Sequence, residues 1–200
     1  MSHLRLITGG TRSGKSHFAE LLAQHAQLPV TYLATAQVGD EEMAKRVEKH
    51  RQSRPAHWGL IEEPYKILQV LLEHAQKESV ILLDCVTLWL SNLLLQEVSS
   101  FTASWTIAEQ ERAMATILTE VHAVGELAVR MKPQVILVTN EVGQGIVPDH
   151  PLSRLYRDLA GRANQILAQA SEKTYLVVAG YPLEIKTSGE TLLRNLTREG

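Results

Sequence analysis

The chain has 200 residues, of which 44% are hydrophobic, enough for one core and one domain. A net charge of −2 and an aromatic content of 5% argue against a nucleic-acid partner, because neither a broad basic surface nor a base-stacking platform follows from them. Cys85 is the only cysteine, so no intrachain disulfide forms and a reducing, cytoplasmic setting is expected. No apolar run reaches the ~18 residues of a membrane span, and Arg5 breaks the first apolar stretch, so it does not read as a signal peptide.

Strand and helix patterns alternate along the chain. Leu4–Thr8 is a short apolar run, followed by a helical pattern over Lys15–Ala26. Val30–Ala34 is the next strand, and a charged helix is predicted over Asp40–Gln52, ending before Pro55. A weaker extended stretch spans Trp58–Glu62, then a helix covers Tyr65–Gln76. Val80–Leu83 is a strand, with helical patterns near Thr87–Glu97 and over Ala103–Arg130. Val135–Thr139 and Tyr175–Ala179 are strands on either side of a helix at Leu152–Glu172. The strand runs are short, apolar and rich in β-branched residues, as expected of strands buried on both faces. The alternation predicts a mostly parallel sheet flanked by helices, with ligands beyond the carboxyl ends of the strands. The domain is expected over residues 1–183. The polar tail over 184–200 carries no motif and reads either as frayed chain or as a short docked helix.

The first strand runs into Gly9-Gly10-Thr11-Arg12-Ser13-Gly14-Lys15-Ser16, which is G-x-x-x-x-G-K-S, the phosphate-binding P-loop, in the strand–loop–helix context that the motif requires. Its backbone N–H groups and the helix N-terminus suit phosphate oxygens. Lys15 would reach the β/γ-phosphates and Ser16 would ligate Mg²⁺. Ile81-Leu82-Leu83-Asp84 is an apolar strand ending in an acid, the Walker-B pattern. Asp84 either caps the following helix or holds Mg²⁺, and beside a P-loop the metal role is preferred.

Three further stretches are less specific. In the charged helix Arg46 and His50 share a face, and Arg51 and Arg54 follow. Cations beside His50 favour its neutral, nucleophilic form and offer a second phosphate site, although on spacing alone a charged helix containing one His is usually a solvated face. Asn140-Glu141 at a strand end, followed by Gly143 and Gly145, forms a polar loop at the ligand edge; it is a γ-phosphate sensor, a hydroxyl positioner, a substrate contact or an ordinary turn. Arg154, Asp158 and Arg162 are spaced for salt bridges along one helix. The other histidines show no metal-ligand spacing.

Together these residues carry a resemblance. Thr8 through Ser16 resembles the T-G-G-A-R-S-G-K-S of the bifunctional adenosylcobinamide kinase/adenosylcobinamide-phosphate guanylyltransferase family. Tyr32-Leu33-Ala34-Thr35-Ala36, Asp40-Glu41-Glu42-Met43-Ala44 through His50 to Arg54-Pro55, Leu82-Leu83-Asp84-Cys85, Thr139 through Pro148, and Arg157 through Gln165 match in order. The T-N-E-V-G-x-G-I-V-P loop and the D-x-E-M-A…H…R-P segment are specific to that family. The resemblance implies a P-loop α/β fold, a homotrimer, and two reactions. ATP or GTP phosphorylates the aminopropanol hydroxyl of adenosylcobinamide. GTP then donates GMP to adenosylcobinamide phosphate through a GMP–histidine, giving adenosylcobinamide-GDP in adenosylcobalamin synthesis. His50 inherits the nucleophile's role. Arg51, Gln52, Ser53, Arg54, Ala34, Thr35, Ala36, Glu62 and Asp84 match nucleotide-contacting positions. Thr11 stands where Ala is commoner, and Asp84 where some members have Glu. Without the resemblance, a small-molecule kinase lacking a covalent intermediate also fits the motifs. A GTP-dependent switch fits less well, because no N-K-x-D is present.

Overall fold

The computed structural model describes residues 3–37, 55–99 and 105–198. Seven strands form one sheet: β1 (Leu4–Gly9), β2 (Val30–Ala34), β3 (Gly59–Glu62), β4 (Val80–Asp84), β5 (Gln134–Val138), β6 (Lys173–Val178) and β7 (Tyr181–Glu184). The described helices are α1 (Lys15–His25), α2 (Ile67–His74), α3 (Val86–Ser99), α4 (Ile107–Arg130), α5 (Pro151–Ala170) and α6 (Lys186–Arg198). The strand order is β3-β2-β4-β5-β1-β6-β7, parallel except for the antiparallel β6–β7 pair.

The central strands are mostly apolar because both of their faces are covered. Side chains alternate between those faces. Leu4, Leu6, Ile81, Leu83, Val135 and Leu137 join a core with α2, α3, α4 and α5. Ile7, Val80, Leu82, Ile136 and Val138 point the other way, onto Ala19 and Ala23 of α1. Trp89 of α3 is fully buried in the larger core, and its indole N–H donates to the Tyr65 carbonyl at 2.9 Å. The structure thus bears out the single-domain α/β expectation.

The differences lie at element ends and in the last segment. α4 starts at Ile107 because Thr106 and Glu109 form a capping box: Thr106 Oγ1 accepts from the Glu109 N–H, and the Glu109 carboxylate accepts from the Thr106 N–H. The predicted strand over Tyr175–Ala179 begins earlier, at Lys173, and turns at Ala179–Gly180 into β7. Glu184 closes β7 by pairing with Tyr175, and α6 follows. Lys186 anchors that helix by donating to the carbonyls of Ala168, at 2.9 Å, and of Gln169 and Ser171. The predicted helix over Asp40–Gln52 lies outside the described residues.

The β6–β7 turn props the loop between β1 and α1. The Gly180 N–H donates to the Ser13 carbonyl at 2.8 Å. Gly14 precedes α1 with φ 96°, and a Cβ there would meet Gly180 Cα at 3.0 Å.

Two stability measurements follow. Trp89→Ala removes the largest fully buried side chain and orphans a carbonyl, so urea unfolding should show a loss of about 3–5 kcal/mol. Gly14→Ala combines a left-handed backbone with that close approach. A loss of about 1–3 kcal/mol is expected in the same assay, and an unchanged midpoint would contradict the packing of turn against loop.

Candidate nucleotide site

The carboxyl ends of β1, β5, β4 and β2 share one edge, and the described candidate residues lie along it, with Glu62 at the adjoining end of β3. The loop from Gly9 to Ser16 leaves β1 and closes with the Ser13 N–H donating to the Gly10 carbonyl at 3.2 Å. Gly9 has no room for a side chain: a Cβ would lie 2.5 Å from the Val177 carbonyl oxygen. Gly14 provides no side-chain cap for α1, so the first-turn N–H groups are left for an anion. Ser13 Oγ is buried and has no hydrogen-bond partner among the described residues. Thr11 and Arg12 are exposed on the outer rim.

Lys15 is only 8% exposed, and its ammonium donates to the Gly10 carbonyl at 3.0 Å. Burial pulls its pKa down, while the nearby Asp84 carboxylate opposes that shift. A desolvated cation with one neutral partner gains strongly from a phosphate. Ser16 is half-buried in the first turn of α1.

Asp84 ends β4, and its Oδ2 accepts from the Tyr32 hydroxyl at 3.0 Å. It follows Val80 and Leu82 in the strand alternation, so it faces α1, the same side as Lys15 and Ser16. A hydroxyl and a carboxylate are hard oxygen donors of the kind Mg²⁺ takes. Among the described residues no group of three or more His, Cys, Asp or Glu is placed to hold a metal alone. The residues therefore fit an ion that draws its remaining ligands from phosphate and water.

Next to Asp84, Cys85 is buried, with its thiol pushed up to about 11 by burial and by the Asp84 charge. It stays a neutral thiol, paired with Thr87 Oγ1 at 3.2 Å. Thr35 is fully buried: its hydroxyl donates to the Cys85 carbonyl at 2.8 Å and accepts from the Cys85 N–H at 3.0 Å. Its own carbonyl accepts from Asn92 Nδ2 at 2.8 Å. Thr35 thus clamps the ends of β2 and β4 together. Ala34 is buried, Ala36 half-buried, and Glu62 exposed at the end of β3 in register with Ala34. His50, Arg51, Gln52, Ser53 and Arg54 lie outside the described residues.

The loop after β5 is tied to β1 and α5. Thr139 Oγ1 donates to Asn164 Oδ1 at 2.7 Å. Asn164 Nδ2 donates to the Asn140 carbonyl at 3.1 Å and to Glu141 Oε1 at 3.0 Å. Thr8 Oγ1 donates to the same Glu141 oxygen at 2.6 Å, and the Glu141 N–H donates to the Gly9 carbonyl at 3.2 Å. Asn140 Nδ2 donates to Thr87 Oγ1 at 2.6 Å. The i,i+4 pairs expected on α5 do not form. Arg154 instead reaches back to the Pro148 and Asp149 carbonyls at 2.9 and 2.6 Å, and Asp158 pairs with Arg157 at 3.0 Å.

Two supporting parts have weak sequence signals. The β6–β7 turn was marked only by Gly180 before Tyr181-Pro182. The clamp formed by Asn92, Tyr65 and Trp89 has none, since those residues read as ordinary helix positions.

The family model for cobinamide kinase / cobinamide phosphate guanyltransferase matches residues 5–185. The bifunctional adenosylcobalamin biosynthesis protein CobP of Pseudomonas aeruginosa is 43% identical over 187 residues, covering 94% of this chain and 98% of the relative. The bifunctional adenosylcobalamin biosynthesis protein CobU of Escherichia coli is 42% identical over 182 residues, covering 90% and 98%. A solved ATPase from the type III secretion system of pathogenic bacteria superposes with a TM-score of 0.54 at 10% identity, over 93% of this chain and 57% of that one, a likeness of fold alone. A P-loop edge of this construction and matches that run through nearly the whole sequence together place this chain in the cobinamide kinase / cobinamide phosphate guanyltransferase family.

Proposed function

We propose that the chain phosphorylates adenosylcobinamide with ATP or GTP and then transfers GMP from GTP to adenosylcobinamide phosphate through a GMP adduct on His50. Family membership supports this reading, and the observation that carries it is the shared edge, where an uncapped helix N-terminus, a desolvated Lys15 and an Asp84 carboxylate near enough to act on its charge come together. In the phosphoryl step the loop amides and Lys15 hold the β- and γ-phosphates and balance charge as it moves to the leaving oxygen. Ser16 and Asp84 are the residues that would hold Mg²⁺, which supplies charge neutralisation of the phosphates.

In the guanylyl step His50 Nδ1 or Nε2 attacks the GTP α-phosphorus, pyrophosphate leaves, and the corrinoid phosphate then displaces the histidine. Arg51 and Arg54 offset phosphate charge, and Gln52, Ser53, Ala34, Thr35, Ala36 and Glu62 line the nucleotide. With Thr35 spent on the β2–β4 clamp, its part is to shape that wall.

The working assembly is a cytoplasmic homotrimer. Exposed Tyr181 and Leu183 on the edge strand and Leu192, Leu193 and Leu196 on α6 support this, as apolar area that one chain leaves uncovered. No described helix is long and apolar enough to cross a membrane.

His50→Ala should remove the acid-labile label that wild type takes from GTP radiolabelled at the α-phosphate, while corrinoid phosphorylation stays measurable. A label persisting in the variant would assign the nucleophile elsewhere. Lys15→Ala should weaken nucleotide binding about 10- to 100-fold in a fluorescent-nucleotide titration, and unchanged affinity would remove Lys15 from the phosphate site.

A further inference from the structure

We propose that Glu141 is the base that takes the proton from the acceptor hydroxyl during phosphoryl transfer; this rests on the kinase reading above and adds a residue to it. The argument starts from strand order. β5 lies directly beside β1, so the residues that end β5 stand one strand spacing, about 4.8 Å, from the start of the phosphate loop. The Glu141 N–H donates to the Gly9 carbonyl at 3.2 Å, which fixes its backbone to that loop.

Other carboxylates of this edge are differently employed. Asp84 faces α1, accepts from Tyr32 and stands opposite Lys15. Glu63 Oε1 accepts from the Tyr65 and Lys66 N–H groups at 2.8 and 3.0 Å, capping the turn before α2. Glu62 lies at the end of β3, four strand spacings or about 19 Å from β1. Glu141 alone among these four sits beside the phosphate loop on the α4–α5 side. Thr8 follows Leu4 and Leu6 in the alternation that faces that side, and Asn164 belongs to α5.

The carboxylate is also held. Thr8 and Asn164 both donate to Oε1, at 2.6 and 3.0 Å. Oε2 accepts no hydrogen bond from a described residue. One oxygen is thereby clamped and the other left for a proton. The metal-holding acid and this acid lie on opposite faces of the sheet, so an acceptor can reach the γ-phosphate without competing for Asp84.

In the step itself the hydroxyl oxygen bonds to the γ-phosphorus as the bond from that phosphorus to the β–γ bridging oxygen breaks. The bridging electron pair stays with the nucleoside diphosphate. The hydroxyl proton passes to Glu141 Oε2 and is lost to solvent after the product leaves.

Glu141→Gln tests this, because the amide oxygen keeps the acceptor for Thr8 and Asn164 while Oε2 becomes a donor. Wild type, E141Q and E141D are assayed with adenosylcobinamide, ATP or GTP and Mg²⁺, scoring phosphorylated corrinoid and nucleoside diphosphate, with nucleotide affinity and thermal midpoint measured alongside. For E141Q, kcat should fall by about 100-fold or more, with nucleotide affinity and midpoint at wild-type values, and E141D should recover part of the rate. Turnover of E141Q at the wild-type rate overturns the base. A joint fall of affinity, midpoint and kcat also overturns it, in favour of a purely structural tie. Wild-type protein that forms no phosphorylated corrinoid removes the kinase reading itself, and the base with it.

Discussion

Parallel strands must all end at the same edge, and that constraint organises the molecule. β1, β5, β4 and β2 run side by side in one direction. Their loops therefore meet, although Lys15, Asp84 and Glu141 are far apart in sequence. β5 separates the phosphate-loop strand from the strand of Asp84, so their loops leave the sheet about two strand spacings, roughly 10 Å, apart.

The two faces of the sheet divide the chemistry as they divide the core. On the α1 face, burial lowers the pKa of Lys15 and Asp84 pulls the other way. A group balanced like this gains most when an anion arrives, since a phosphate restores what burial removed. The thiol of Cys85, pushed up to about 11, contributes no charge. On the α5 face the groups are neutral side chains that orient one carboxylate: Thr8, Thr139 and Asn164 saturate each other and Glu141 Oε1. Buried networks of this kind hold their geometry because each broken bond strands a partner.

The last segment of the chain supports the site from behind. The β6–β7 turn donates to Ser13 and packs against Gly14, so the edge of the sheet keeps the phosphate loop in its strained path. α6 is pinned at its start by Lys186 and leaves leucines exposed along its length.

Residue type and spacing alone determined the fold class, the phosphate loop and the acid at the end of β4, and the family followed from the resemblance of whole motifs. Those signals are local: a strand buried on both faces is apolar at each position, and a phosphate loop is contiguous in the chain. β3 was legible only weakly, because its residues are mostly exposed and lack the apolar run of a central strand. β7 escaped notice because an edge strand of four residues containing Pro182 carries little pattern of its own. Tertiary structure alone decided that Thr35 clamps two strands and that Glu141, otherwise one polar loop residue among several, stands beside the phosphate loop with one oxygen held. Such roles depend on strand order and on partners more than a hundred residues away, as Thr8 is from Glu141, and no local pattern encodes which strands become neighbours.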